Sequence, residues 1–303
     1  MKNKMNADFD TCAILIAFNP NIKTFIDLCN SILLSNVNLI IVNNGSSIDL
    51  KDDQFVLDNY KIINQKNNSG IATAQNIGIN HALKNKNHEF FFFFDHDSLL
   101  SENFFENIRR EYQSNLGFDV MCPTVLDRSS KAEYPSLLIN KLGVTKKIYG
   151  KNARNILKIS LGISSGMSAR RNAIELVGTF KDKLFIDHVD TEWFLRARYN
   201  GFNIGLTNKA KIYHSIGEKN FSKANLNIHQ HNNQRTYYQL RNTLLLRKYS
   251  YVPKIFLISQ FLRLILHKSF YIFFSENKIE YLRYVYIAIY DGILMNSGPY
   301  IKD

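Results

Sequence analysis

Five consecutive phenylalanines, Phe90 to Phe94, closed by Asp95-His96-Asp97-Ser98, constrain this chain more than any other stretch. A run this bulky has to be buried, and it is far too short to span a bilayer. Lacking alternation, it reads as a central strand of a sheet covered on both faces. The strand ends on Asp-x-Asp. In an open α/β sheet, ligands bind at the carboxyl ends of the strands. Two carboxylates two residues apart in a turn can face one hard cation and leave its other positions to substrate phosphates. The plainer reading makes Asp95 and Asp97 loop carboxylates that cap a helix starting near Ser101.

The chain's 303 residues, 45% of them hydrophobic, are enough for one large core, with or without an appendage. A net charge of +12 points to an anionic partner: nucleic acid, anionic lipid or a phosphorylated substrate. Cys12, Cys29 and Cys122 are scattered without metal spacing and read as reduced core thiols of a cytosolic protein. The first ten residues are polar, with no apolar signal region. The most apolar C-terminal window, Ile255 to Phe274, is interrupted by Gln260, Arg263, His267 and Lys268, which disfavours a membrane span. There is no Gly-x-Gly fingerprint and no Walker A loop.

Taken in order, apolar runs at Thr11–Phe18, Leu39–Val42, Tyr60–Asn64 and the phenylalanine strand alternate with helical spacing. Such β-α-β-α alternation predicts an α/β fold with a mostly parallel sheet and helices on both faces. If the strands are parallel, Phe18-Asn19, Asn43-Asn44-Gly45 and Asp95-His96-Asp97 open on one edge, as a crevice for a nucleoside diphosphate or as ordinary turn-forming loops. Between Val120 and Ile163 the pattern assigns no elements. Gly162 to Ala169 is rich in small residues, suited to close approach of a ligand or to a tight packed turn.

Further on, Phe185-Ile186-Asp187-His188-Val189-Asp190-Thr191-Glu192-Trp193 holds three carboxylates within six residues and the only tryptophan. Asp187 and Asp190 can cap a helix whose first turn favours Glu192. Equally, a carboxylate at that helix start, beside an aromatic wall, is a fair general base for a sugar hydroxyl. His214, before Gly217 at a candidate strand end, is either structural or a contact for metal or diphosphate. Residues 233–248 read as a polar-aromatic helix. The helices beyond Pro253 suit a basic amphipathic surface on anionic membrane, or packing on the core or a second subunit. Arginines interleaved with tyrosines at residues 235–247 admit a nucleic-acid-binding protein, although no recognition motif supports one. A catalytically silent membrane-associated partner is a third class.

The order of Ala17-Phe18-Asn19, Val42-Asn43-Asn44-Gly45-Ser46, Asn68-Ser69-Gly70-Ile71-Ala72 with Gln75-Asn76-Ile77-Gly78, Asp95-His96-Asp97-Ser98, and Phe185 to Trp193 with Leu195-Arg196-Ala197 resembles the inverting family 2 glycosyltransferases of GT-A fold. The Asp-His-Val-Asp-Thr-Glu-Trp string and His214-Ser215-Ile216-Gly217 narrow the resemblance to bacterial rhamnosyltransferases of O-antigen and related lipopolysaccharide assembly. The resemblance spans about Thr11 to Gly217 and implies a GT-A domain over residues 1–228, with a C-terminal helical region over 229–303.

That resemblance further implies a nucleotide-sugar donor such as dTDP-L-rhamnose, contacted by Ala17, Phe18, Asn19, Asn43 and Asn44, with Gly70, Asn76, Asp95 and His96 among the donor positions. It implies Mg²⁺ or Mn²⁺ at Asp95 and Asp97, to which the reading above adds His214, and Asp190 as catalytic base. Galactofuranose, mannose or another hexose are alternative sugars, and the nucleotide base is open because the family pattern carries aspartate where this chain has Asn43. The acceptor would be a glycan or lipid-linked oligosaccharide rather than nucleic acid. The implied location is cytoplasmic, peripheral on the inner face of the membrane, with oligomers allowed.

Overall fold

The computed structural model describes residues 10–47, 55–214, 219–223, 226–230, 233–272 and 277–300. Four parallel strands form the heart of the sheet: β1 (Asp10–Ala17), β2 (Asn38–Asn44), β3 (Tyr60–Gln65) and β4 (His88–Asp95), laid side by side as β3-β2-β1-β4. The crossovers from β1 to β2 and from β3 to β4 are helices, α1 (Ile22–Leu33) and α2 (Ile71–Ala82). A short β5 (Leu99–Leu100) and α3 (Phe104–Ser114) follow β4.

The phenylalanine run accounts for both cores. Phe91 and Phe93 point to the face covered by α2, while Phe90, Phe92 and Phe94 meet α1 and α3 on the other. That is the period-2 alternation of a strand, with nothing polar on either side because neither side meets water. Phe92 takes Phe105 edge-on with centroids 4.9 Å apart, and Phe93 takes Phe180 at 5.6 Å. Each such buried ring contributes roughly 2–3 kcal/mol of burial. α2 lies against β1 so closely that a Cβ at Gly78 would come within 2.4 Å of Ile14 Cγ2.

Beyond β4 the sheet turns mixed. The stretch that the pattern left unassigned supplies β6 (Val120–Asp127), β7 (Glu133–Tyr134), the hairpin β8 (Ser136–Ile139) with β9 (Thr145–Ile148), and β10 (Leu157–Ile159). β11 (Ser168–Arg170) runs antiparallel between β4 and β6. After α4 (Arg171–Val177) and α5 (Val189–Tyr199), β12 (Ile204–His214) pairs parallel with β6. The apolar signal of β12 fades after Leu206, yet the strand continues. Its register shifts between Thr207 and Lys211, where Lys209 N–H donates to Thr207 Oγ1, so the polar triplet is a bulge within the strand. This extension carries His214 to the mouth of the sheet, beside the end of β4.

The remaining elements are the hairpin β13 (Lys219–Lys223) with β14 (Leu226–Gln230), then α6 (Asn233–Leu245), α7 (Lys254–Ile272) and α8 (Lys278–Leu294). The boundary expected at 228/229 falls inside β14. Beyond it the described helical region packs on the core, where Leu245, Leu246, Val252 and Phe256 join the same hydrophobic cluster as Phe91 and Trp193. No described helix is long and apolar enough to cross a membrane. All three cysteines are buried thiols outside any disulfide.

Candidate functional site at the strand ends

Parallel pairing brings the ends of β1, β2 and β4 to one edge. Ala17 pairs with Asn43, Ile16 with Asp95, and Asn43 with Asn64. Here the expected donor positions divide into two groups. Phe18 and Asn19 are exposed at the edge, and Asp95, His96 and Asp97 are partly open. The others build the edge. Asn43 donates to Asn64 Oδ1 and accepts from Ser46 N–H, and Asn44 accepts from both Ser69 N–H and Ser69 Oγ. Ala17 is buried and offers only its backbone. Asn76 is a clamp under the site: its amide donates to Phe180 O and Asp182 Oδ1 and its carbonyl accepts from Phe180 N–H. Gly70, at φ +84°, lets Phe185 approach; a Cβ there would come within 2.6 Å of the Phe185 ring.

The small-residue turn before β11 connects the two acidic regions. It is packed, as one of its two readings held, with Gly166 N–H donating to Phe93 O. It is also functional in position. Ser165 Oγ accepts from Asp95 N–H and shares a hydrogen bond with Ser98 Oγ at 2.7 Å, while the Ser164 backbone hydrogen-bonds the Asp190 carboxylate. Asp95 is near enough to Asp190 that its negative charge helps raise the Asp190 carboxyl.

Charge sets the protonation at this edge. Burial pushes the Asp95 carboxyl up, opposed by the His214 imidazole. Burial also acts upward on Asp97, but the hydrogen bond and charge of His214 outweigh it and hold Asp97 below the usual carboxylate range. Reciprocally, His214 overcomes its burial and is raised by Asp97, whose Oδ1 lies 3.1 Å from His214 Nδ1. Among the described residues, no group of three or more His, Cys, Asp or Glu side chains closes around an ion unaided. Residues Ser215, Ile216 and Gly217 of the His214 motif lie outside the described residues.

Asp190 sits in the first turn of α5, its Oδ1 accepting from Thr191 N–H at 2.7 Å. Burial pushes its carboxyl up to about 6, helped by the charges of Asp187 and Asp95 and opposed by the Thr191 and Ser164 backbone bonds. The loop leading into the helix is strained, with Phe185, Asp187 and His188 all at positive φ near 60°. Helix α6 keeps it there. The Asn242 amide, fully buried, spreads its protons over Leu184 O, Ile186 O and Asp187 O at 2.7–2.9 Å, and Arg241 reaches Leu184 O. Arg235 pairs with Asp187 at 3.3 Å, and Thr243 Oγ1 bonds His188 Nε2.

Two expectations change here. Trp193 is no wall beside the base: it is wholly buried and donates from Nε1 to Gly178 O. Glu192 lies in the first turn of α5, as expected. It is buried in a two-point ion pair with Arg196 and accepts a hydrogen bond from the Tyr251 hydroxyl. Nor do the arginines and tyrosines of α6 form an outward basic face, since Arg241 is buried over the rings of Tyr237 and Tyr238.

The pattern gave no sign of a cavity of about 520 Å³ between this loop and α7. Asp187 and Asp190 form one wall; Gln260, Arg263, His267 and Lys268 form the other. Asp190 therefore borders a partly open space, with α7 as its far boundary.

Comparison with known proteins agrees with this arrangement. A family model described as glycosyl transferase family 2 matches residues 12–177. The dTDP-rhamnosyl transferase RfbF of Shigella flexneri is 33% identical over 286 residues, 94% of this chain and 96% of that protein. The crystal structure of S. aureus TarS 1–349 in complex with UDP-GlcNAc superposes with a TM-score of 0.58 at 13% identity, over 94% of this chain and 81% of that one. GalNAc-T7 with UDP, GalNAc and Mn²⁺ gives 0.54 at 12% identity, over 71% of this chain and 44% of that one. With more than half of its length matched by the family model and nearly all of it aligned to a relative at one-third identity, this chain belongs to glycosyl transferase family 2 and carries the GT-A fold of nucleotide-sugar glycosyltransferases.

Proposed function

We propose that the enzyme transfers L-rhamnose from dTDP-L-rhamnose to a hydroxyl of a glycan or lipid-linked oligosaccharide of bacterial surface polysaccharide, with inversion at the anomeric carbon. The observation carrying this is that one turn, Ser164-Ser165, holds both the Asp95 backbone N–H and the Asp190 carboxylate. The choice of sugar rests on the name of the Shigella relative. Asp190 takes the acceptor hydroxyl proton while that oxygen forms its bond to the anomeric carbon; the bond to the diphosphate oxygen breaks, and dTDP leaves with its electron pair. A carboxyl titrating at about 6 is ionised at neutral pH and still basic enough for that proton transfer.

The residues at the end of β4 fit a divalent cation. Asp95 and Asp97 offer oxygens from one turn, His214 stands beside them, and an incomplete protein shell suits an ion that keeps positions for phosphate. Bound there, Mg²⁺ or Mn²⁺ would neutralise charge on the leaving diphosphate. Phe18 and Asn19 would meet the nucleoside. In a thermal-shift screen of dTDP- and UDP-sugars with MnCl₂, dTDP-L-rhamnose is expected to give the largest stabilisation and Asp95→Ala to abolish it. A larger shift with another nucleotide sugar would reassign the donor, and equal shifts in Asp95→Ala would remove Asp95 from the site.

We also infer that the enzyme rests on an anionic membrane through α7 and α8. Ile255, Ile258, Leu262 and Leu266 form an exposed apolar row along α7, matched by Ile279, Leu282, Tyr286 and Tyr290 on α8, in a chain of net charge +12. Flotation with phosphatidylglycerol vesicles should be lost in the Leu262→Asp/Leu266→Asp variant. Equal flotation of both proteins would exclude this row as the contact.

A further inference from the structure

We propose that the β8–β9 hairpin is a second membrane contact, its tip entering the headgroup layer of an anionic bilayer with Leu142 and Val144 while Lys141, Lys146 and Lys147 meet the lipid phosphates. The inference rests on the membrane reading of α7 and α8 and adds an element that helical periodicity does not mark. Turns of this kind ordinarily carry polar residues, yet Leu142 and Val144 are 70% and 52% exposed at the tip. Asn140 meets the backbone needs of that turn. Its Oδ1 accepts from Leu142 N–H at 3.0 Å and Val144 N–H at 2.9 Å, its carbonyl accepts from Gly143 N–H, and its own N–H donates to Val144 O. With these N–H groups satisfied from within, the tip can leave water, whereas each unmet donor would oppose its entry into an apolar layer.

The hairpin stands on a fixed base, since Ile139 is buried in the main core and Leu137 and Ile148 pack against it. Its tip adjoins the start of α7. A Cβ at Gly143, which sits at φ +88°, would come within 3.0 Å of Pro253 Cβ and 3.3 Å of Ile255 Cβ. Ile255 is in turn the first residue of the exposed row Ile255, Ile258, Leu262 and Leu266, so Leu142 and Val144 lie next to the head of that row. Single exposed aliphatic residues are ordinary, but an adjoining set of them marks a contact surface. Charge selects the partner. No Asp or Glu occurs between Glu133 and Glu175, nor anywhere in α7, and Lys141, Lys146 and Lys147 are exposed. An apolar tip flanked by lysines fits an anionic lipid surface. A second copy docking tip to tip would bring the same lysines together, and like charges oppose that pairing.

The test places a reporter at the tip of the full chain. Trp193, the only native tryptophan, is wholly buried, so Leu142→Trp adds an emission that reads the tip alone. With phosphatidylglycerol vesicles that emission is expected to shift to shorter wavelength and to be quenched by brominated acyl chains, with neither change on phosphatidylcholine. Val56→Trp, at an exposed position ahead of β3 on the opposite edge of the sheet, should show neither effect. Leu142→Ser/Val144→Ser should bind phosphatidylglycerol vesicles roughly ten-fold more weakly, the effect of leaving an aliphatic side chain in water, with an unchanged Tm. An unshifted, unquenched Leu142→Trp, or equal quenching of Val56→Trp, would overturn the proposal. So would wild-type vesicle affinity in the serine variant. Dissociation of a dimer by the serine substitutions in vesicle-free solution would likewise overturn it, in favour of a contact between copies. The two membrane contacts fail separately. If only the hairpin fails, Leu262→Asp/Leu266→Asp still loses flotation while the serine variant floats as the wild type does. If only the helical row fails, Leu262→Asp/Leu266→Asp floats normally and Leu142→Trp is still quenched.

Discussion

Asp190→Asn is expected to lower kcat by about 10²–10⁴-fold, the usual contribution of a positioned general base, while leaving donor affinity unchanged. The substitution keeps the Oδ1 that accepts from Thr191 N–H, so the first turn of α5 is undisturbed. Only the proton acceptor is lost. In the wild type, kcat/KM should rise with pH through a limb near 6 and level off above it, because the carboxyl is held up to about 6 by burial and by neighbouring charge. A cation at Asp95 and Asp97 would move that limb downward. The variant should lack the limb altogether.

Stability runs the other way. A carboxyl raised above its unfolded value of about 3.9 favours the fold while protonated and loses that contribution as pH rises through about 6. At pH 7 the ionised Asp190 therefore costs roughly 1–3 kcal/mol. The inactive variant should melt higher than the wild type at pH 7 and equally at pH 4. Full transfer activity in Asp190→Asn, or a lower Tm at pH 7, would contradict this account.

Asn242→Ala should be the most damaging substitution outside the acidic residues. One amide serves three carbonyls of the strained loop, and its Oδ1 accepts from Arg241 Nε and Nη2 at 3.0 and 2.8 Å. Truncation removes the side-chain partner of the Ile186 and Asp187 carbonyls, at about 1–3 kcal/mol each before relaxation, while Leu184 O keeps Arg241 and the Ile186 N–H, and it releases residues held at positive φ. A loss of roughly 3–5 kcal/mol follows, together with at least a ten-fold fall in kcat as Asp190 loses its placement. Asn242→Asp, which turns a carboxylate oxygen toward three carbonyl oxygens, should be worse still. A Tm within 2 °C of wild type in both variants would show that α6 does not support the loop.

Much of the donor half is legible in the chain. Apolar runs ending in Asn, Gly or Asp mark β1, β2 and β4, and parallel pairing puts those ends together without further information. What escapes are features whose partners lie far away in sequence. Arg241 and Asn242 look like ordinary polar helix positions, and only the loop some 55 residues earlier reveals them as buried supports. Trp193 next to three carboxylates reads as a site wall because sequence adjacency does not say which face of α5 it takes. The β12 bulge hides the strand that carries His214, since a polar triplet inside a strand resembles a turn. Lys268 reads as an interruption of an apolar helix, although it lines the cavity.

The central claim is that the end of β4 manages a diphosphate through a cation while Asp190 addresses the sugar from across the Ser164-Ser165 turn. A crystal structure with dTDP and Mg²⁺ tests it most directly. The expected result is a cation at roughly 2.0–2.1 Å from carboxylate oxygens of Asp95 or Asp97 and from the diphosphate, with the Asp190 carboxylate facing the terminal phosphate across open space. A nucleotide lodged instead between Asp187 and the α7 wall, with Asp97 still held by His214 and no ion at the strand end, would contradict it.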